Sequence, residues 1–171
     1  MARQLRRIYT KLTWQSIIDE HGEAIFRVAY WLLRSVHDAE DVSQEVLLEA
    51  FRMPDIPDAS LLRRVAAFRA IDRLRQRVVT VPLDDDIRQI ELLSVEKAIE
   101  NEESADLLRE AISRLPQQQS RCFWLRYVEG QSNQEIAVVE AISESTVSTA
   151  LCKARKSLRR LFSDKLESAH E

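Results

Sequence analysis

Side chains able to do covalent chemistry or to hold a metal ion are few and scattered along this chain. Cys122 and Cys152 each lie in an apolar stretch, and neither has a second Cys or a His at the spacing of a zinc site. His21, His37 and His170 stand far apart, and no nucleophile–base pattern or glycine-rich phosphate loop accompanies them. We interpret both cysteines as buried free thiols and predict no metal site, no cofactor and no catalytic residue.

Binding chemistry is better represented, because cations are concentrated in two segments. Residues 62–77 hold six Arg and a single acid, Asp72, and residues 153–160 hold five cations and no acid. The acidic side chains are concentrated between them, with nine acids and three cations over residues 79–109. Two basic stripes on separate segments indicate a polyanion as partner, even in a chain of formal net charge −3.

The second basic stripe ends a pattern of two helices joined by a tight turn. Ser132 and Glu135 predict a capping box at the start of a short helix. After a turn at residues 141–144, Ser143 can cap a longer helix that runs to about residue 162. This layout is typical of a helix-turn-helix, whose second helix enters the DNA major groove.

On this interpretation the second helix divides into two groups of candidate residues. Hydroxyl side chains at its start would face bases, and cations further along would reach phosphates. The base-facing candidates are Ser145, Thr146, Ser148 and Thr149, and the phosphate-facing candidates are Lys153, Arg155, Lys156 and Arg159. The alternative is an ordinary helical hairpin whose charges form a solvated face.

The elements that position these residues are predicted to be all α-helical. Only 2 Gly and 4 Pro, with 45% hydrophobic residues, exclude both a many-stranded sandwich and a disordered chain. Apolar periodicity predicts helices over residues 14–35, 38–52 and 59–78, with Pro54 and Pro57 separating the last two.

We therefore predict two small helical domains, a bundle at residues 1–78 and a helix-turn-helix domain at residues 104–171, joined by a flexible acidic linker at residues 79–103. The chain shows neither a membrane-spanning apolar run nor a signal peptide. We expect a cytoplasmic protein without membrane insertion.

Three segments carry a resemblance to a known family. The stretch from Leu115 to Ala137, with LPQQQSR and LRYVEGQSNQEIA, resembles the fourth-domain signature of bacterial sigma factors of the extracytoplasmic-function class. Upstream, HDAEDVSQEV at residues 37–46 resembles the core-polymerase-binding helix of that class, and AIDRLR at residues 70–75 resembles the end of its minus-10 helix. The segments follow the family's order, with a linker where the family has one.

The resemblance implies an alternative sigma factor, a non-enzyme that binds core RNA polymerase and directs promoter-specific transcription initiation. The implied contacts to the clamp helices of the beta-prime subunit are Asp38, Asp41, Gln44 and Glu45. The implied contacts to the minus-10 element are Arg63, Arg64, Phe68, Arg69, Arg73, Arg75 and Arg77. The helix-turn-helix would read the minus-35 duplex, and an anti-sigma factor is a further implied partner.

The chain also departs from the family pattern. Residues 54–60 lack the usual Gly-Ser-Phe-like stretch, and Ala67-Phe68 replaces a common Arg-Asn, so that Phe68 either stacks on a base or joins the core. Ser148 and Ala150 stand where cations are frequent, and Ala141 replaces a common turn glycine. We expect weaker phosphate binding and a shallower salt dependence. These departures leave open a sigma-like interaction adaptor that binds DNA poorly. The helix-turn-helix also leaves open a stand-alone DNA-binding regulator that does not join polymerase.

Overall fold

The computed structural model describes residues 2–53, 57–77 and 102–168, and the side chains of residues 15–53, 57–77, 102 and 105–161. The described residues form α-helices joined by short turns, with no strand among them. Contacts divide the chain into two compact units, Met1–Leu74 and Arg75–Glu171. The predicted two-domain, all-helical class is confirmed. The predicted domain limits stay predictions, and nearly all of the acidic linker lies outside the described residues.

The first unit contains three helices, α1 (Ala2–Leu33), α2 (Val36–Arg52) and α3 (Ala59–Arg77). Helix α1 packs against α2, and it begins well before the predicted start at residue 14. The predicted inward face of α2 is confirmed, because Ala39, Val42, Val46 and Ala50 are all buried. The remaining core residues are Ile17, Ile25, Ala29, Leu32, Leu33, Leu62, Ala66, Ala67, Ala70 and Ile71.

Short polar caps fix the junctions between these helices. Arg34 ends α1 with a left-handed backbone, φ 51°, and its N–H donates to the Tyr30 carbonyl at 2.9 Å. Ser35 then caps α2, accepting from the Asp38 N–H at 3.3 Å. Asp58 caps α3 in the same way, since its Oδ1 accepts from the Leu61 N–H at 2.7 Å. The left-handed Arg34 and the Ser35 cap therefore define the turn between α1 and α2, and the Asp58 cap defines the start of α3.

The second unit contains α4 (Glu102–Arg114), α5 (Gln117–Tyr127), α6 (Asn133–Glu140) and α7 (Glu144–Ser168). Helix α7 packs against the other three helices. The core includes Leu108, Ile112, Leu115, Phe123, Leu125, Ile136, Val147, Leu151, Ala154 and Leu158. Among the described residues, no helix is both long and apolar enough to cross a bilayer.

Candidate nucleic-acid interface

The start of α6 is fixed by the predicted capping box, which the structure confirms. The Glu135 N–H donates to the Ser132 hydroxyl at 3.3 Å, and the Ser132 N–H donates to Glu135 Oε2 at 2.7 Å. The Ser132 hydroxyl also donates to Glu135 Oε2, at 2.7 Å. The bond from the Ser132 backbone, and then that from its hydroxyl, lower the pKa of the Glu135 carboxyl. The box satisfies backbone donors that the first turn of a helix leaves unpaired.

The turn between α6 and α7 depends on one residue with a left-handed backbone. Ala141 has φ 52° and ψ 43°, and the next N–H, of Ile142, donates to the Ala137 carbonyl at 3.0 Å. Ser143 then caps α7, since its hydroxyl accepts from the Thr146 N–H at 3.1 Å. The predicted helix-turn-helix is therefore formed by two capped helices, which are joined by a tight turn at the left-handed Ala141.

The first turns of α7 carry the hydroxyl side chains predicted to face bases. Ser145, Ser148 and Thr149 are exposed, whereas Thr146 is half-buried and its hydroxyl lies 2.8 Å from that of Ser143. The Ser148 hydroxyl accepts from Asn133 Nδ2 at 3.1 Å, which brings the start of α6 to the same surface. The sequence analysis missed Asn133. Its place directly after the Ser132 cap could have indicated that it lies at the exposed start of α6, near the second helix.

The cations of α7 follow, outside its buried stripe. Lys153, Arg155 and Lys156 are exposed and Arg159 is half-buried. Ala150 is buried, 5% exposed, so this position packs against the core and is not a place for a phosphate contact. Hydroxyl groups and cations therefore share one helix in the arrangement that DNA recognition uses.

The two thiols differ in their surroundings. Cys122 is buried, and burial, with a smaller contribution from the Glu140 charge, raises its pKa to about 11. The expectation that Cys152 is also buried is wrong, because it follows the buried Leu151 by one residue and so turns about 100° away from the core. Within the described parts of the chain, no group of His, Cys, Asp or Glu side chains is placed to hold a metal ion.

Helix α2 has an exposed apolar ridge, formed by Leu48 and Phe51, which are 58% and 55% exposed. Gln44 lies one turn before Leu48 and is also exposed, so the three residues share a face at i, i+4 and i+7. The sequence analysis named Gln44 and missed the other two. Their position opposite the stripe of Val42, Val46 and Ala50 is a signal that could have found them.

The acids of α2 are paired with arginines of α3. Arg73 Nη2 donates to Glu45 Oε1 at 2.6 Å, and its Nη1 lies 3.5 Å from Asp41 Oδ2 and 3.9 Å from Asp38 Oδ1. Arg69 donates to Glu45 Oε2 at 3.1 Å and to Glu49. The hydrogen bond to Glu49 contributes most to raising the pKa of the Arg69 guanidinium.

This pairing joins two groups of residues that the sequence analysis assigned to different partners. Asp38, Asp41 and Glu45 were assigned to polymerase, and Arg69 and Arg73 to DNA. The other predicted minus-10 residues lie along α3, with Arg63 and Arg77 exposed and Arg64, Phe68 and Arg75 half-buried.

The fold and these surfaces define an all-helical class with a helix-turn-helix in the second unit and an exposed apolar ridge on α2. Comparison with protein families agrees. Residues 17–79 match sigma-70 region 2, and residues 105–158 match sigma-70 region 4.

Two curated relatives give the same assignment. The chain is 27% identical to the ECF RNA polymerase sigma factor SigW of Bacillus subtilis, over 86% of this chain and 88% of the relative. It is 30% identical to the RNA polymerase sigma factor SigV of the same organism, over 88% and 91%. A solved structure, the sigma factor RpoE in complex with the anti-sigma factor NepR from Bartonella quintana, aligns with a TM-score of 0.49 at 17% identity, over 88% and 97%.

The chain belongs to the extracytoplasmic-function class of the sigma-70 family. It is an alternative sigma factor, which directs RNA polymerase in transcription initiation.

Proposed function

We propose that α2 docks on the clamp helices of the beta-prime subunit of core RNA polymerase, while α3 and α7 engage promoter DNA. In this assignment α7 reads the minus-35 duplex from the major groove, and α3 follows the single-stranded minus-10 element. Bond formation belongs to the polymerase, and we expect the chain to act in the cytoplasm, where the bacterial chromosome is transcribed.

The exposed ridge of Leu48 and Phe51 is the observation that supports docking most directly. Leu48 and Phe51 lie three residues apart on one helix face and so form a contiguous exposed apolar patch, which is the feature that marks an interaction surface. The half-exposed carboxylates of Asp41 and Glu45 lie on the same helix. An apolar ridge beside acidic groups suits a basic helical partner, because apolar burial gives affinity and charge complementarity sets orientation.

The surface of α7 supports the DNA assignment. Ser145, Ser148 and Thr149 are exposed at its first turns, where a recognition helix contacts base edges. Lys153 and Arg155 follow, exposed and able to reach phosphates. An anti-sigma factor stays a predicted partner, and a protein that covers the α2 ridge would compete with polymerase for it.

The test is co-elution with sigma-free core RNA polymerase in gel filtration. The variant Leu48→Ala/Phe51→Ala removes the ridge without touching the buried face of α2, so we expect its melting temperature to change little and its Kd for core to rise at least about tenfold. Val36→Ala is the matched control, because Val36 is 54% exposed at the other end of α2. Unchanged core binding by the double variant would contradict the proposed docking surface.

A further inference from the structure

The ion pairs between α2 and α3 occupy the guanidinium groups that α3 would offer to DNA. Glu45 is the shared acceptor, since its two carboxylate oxygens accept from Arg69 Nη1 at 3.1 Å and from Arg73 Nη2 at 2.6 Å. Glu49 binds the second amino group of Arg69. The side chain of Arg73 is 25% exposed, the least of the charges in this network.

We propose that the α2 carboxylates mask Arg69 and Arg73 from nucleic acid in the free chain, as an autoinhibitory contact within the first unit. A carboxylate pair and a phosphate offer the same chemistry to a guanidinium, namely anionic oxygens that accept charge-assisted hydrogen bonds. DNA phosphates therefore compete with Glu45 and Glu49 for the same donors. A basic protein surface competes with the arginines for the same carboxylates.

The consequence for the two ligands is positive coupling. Either ligand alone must displace the internal pairs, whereas the second ligand finds them already displaced and binds more tightly. Thermodynamic linkage makes this gain equal for both ligands. This inference rests on the proposed function for its choice of ligands, but the masking itself is a property of the free chain and can be tested without polymerase.

The experiment measures binding of the full chain to a fluorescein-labelled single-stranded DNA of mixed sequence by anisotropy, over a salt series. The test variant is Glu45→Gln/Glu49→Gln, which keeps side-chain size and removes the two carboxylates nearest Arg69. The control is Asp19→Asn/Glu40→Gln, which removes the same charge from two exposed acids of the same unit.

The variant frees Arg69 and removes the nearest of the acids around Arg73, which keeps Asp41 at 3.5 Å. We expect binding about fivefold tighter at low salt. The slope of log K against log salt should be steeper by about 0.7 to 1.4, at about 0.7 for each added phosphate contact. The control should give a smaller gain and the wild-type slope. Adding Arg69→Ala/Arg73→Ala to the test variant should abolish the gain.

A purely structural link between α2 and α3 predicts a different result, namely a lower melting temperature with an unchanged salt slope. If that occurs, the masking proposal is wrong. It is also wrong if the DNA affinity of the test variant exceeds that of the wild type by no more than the control variant does. Where Glu45→Gln/Glu49→Gln is poorly folded, Glu45→Gln alone provides the same comparison. Failure to bind core polymerase, with the salt slope changed as expected, would reject the proposed function and leave the masking established.

Discussion

Ala141 has a left-handed backbone, a conformation that glycine adopts without strain. A residue with a Cβ pays about 1 kcal/mol to adopt φ 52°, because the Cβ crowds the following carbonyl. We expect Ala141→Gly to stabilise the second unit by up to about 1 kcal/mol, part of the gain being lost to the greater freedom of glycine in the unfolded chain. Scanning calorimetry of the full chain measures it.

The matched control is Ala137→Gly, the same exchange within α6. Ala137 lies in a right-handed helix, so glycine there should destabilise by about 1 kcal/mol. Opposite signs at positions four residues apart would identify backbone conformation as the cause. Two changes of the same sign would show that the strain at Ala141 is relieved elsewhere.

Cys122 makes stability depend on pH in the alkaline range. Its pKa rises from 9.0 to about 11 in the folded chain, so the folded state holds this proton to higher pH than the unfolded state does. The resulting stability is fully present below pH 9 and is lost as the pH rises toward 11. Urea unfolding of the wild type and Cys122→Ala across this range should show a steeper loss in the wild type; parallel curves would refute the assignment.

The capping box of Ser132 and Glu135 stabilises the first turn of α6. A helix of eight residues is too short to persist on its own, and α6 buries one residue, Ile136, deeply. We expect Ser132→Ala to cost about 1 kcal/mol and to weaken duplex DNA binding, since Asn133 and Ser148 would lose their fixed separation. Hydrogen exchange of the α6 amides and DNA titration check both effects.

Ser132→Thr is the control for this cap, because threonine keeps the accepting hydroxyl and the bond to the Glu135 N–H. It should retain most of the stability and the DNA affinity. If Ser132→Ala leaves α6 as protected from exchange as in the wild type, packing against α7 rather than the cap holds this helix.

Most helix positions could be predicted from the sequence, because they depend on local signals. The buried stripe of α2 and the Ser132–Glu135 box follow from spacing and side-chain type alone. The pairing of Arg69 and Arg73 with α2 acids could not be predicted in this way. The pairing depends on which face of α3 packs against α2. Because arginines are spread around α3, the sequence does not show which of them face the α2 acids. The exposure of Cys152 could have been predicted, because the apolar spacing of Val147, Leu151 and Leu158 sets the buried face of α7 and Cys152 lies off it.

Polymerase binding and duplex binding are assigned to different units of the chain. Arg155→Gln on α7 should therefore leave co-elution with core polymerase unchanged while weakening duplex DNA binding. Loss of one phosphate contact should reduce the salt slope by about 0.9. Anisotropy titrations with mixed-sequence duplex DNA, run at several salt concentrations, measure this slope.

Arg27→Gln is the matched control, since Arg27 is 76% exposed on α1 and removing it changes net charge by the same amount. Its slope should equal that of the wild type. Equal salt slopes for all three proteins would show that Arg155 does not contact DNA phosphates. A loss of core polymerase binding in Arg155→Gln would argue against separate roles for the two units.

The apolar ridge of α2 also bears on how long the protein survives in a cell. Leu48 and Phe51 are each more than half exposed, and chaperones and proteases engage exposed apolar side chains of this kind. Binding a partner over the ridge hides it from both. We therefore expect the free and bound forms to differ in lifetime as well as in activity, so that the steady-state amount of the protein follows the supply of the partner that covers α2.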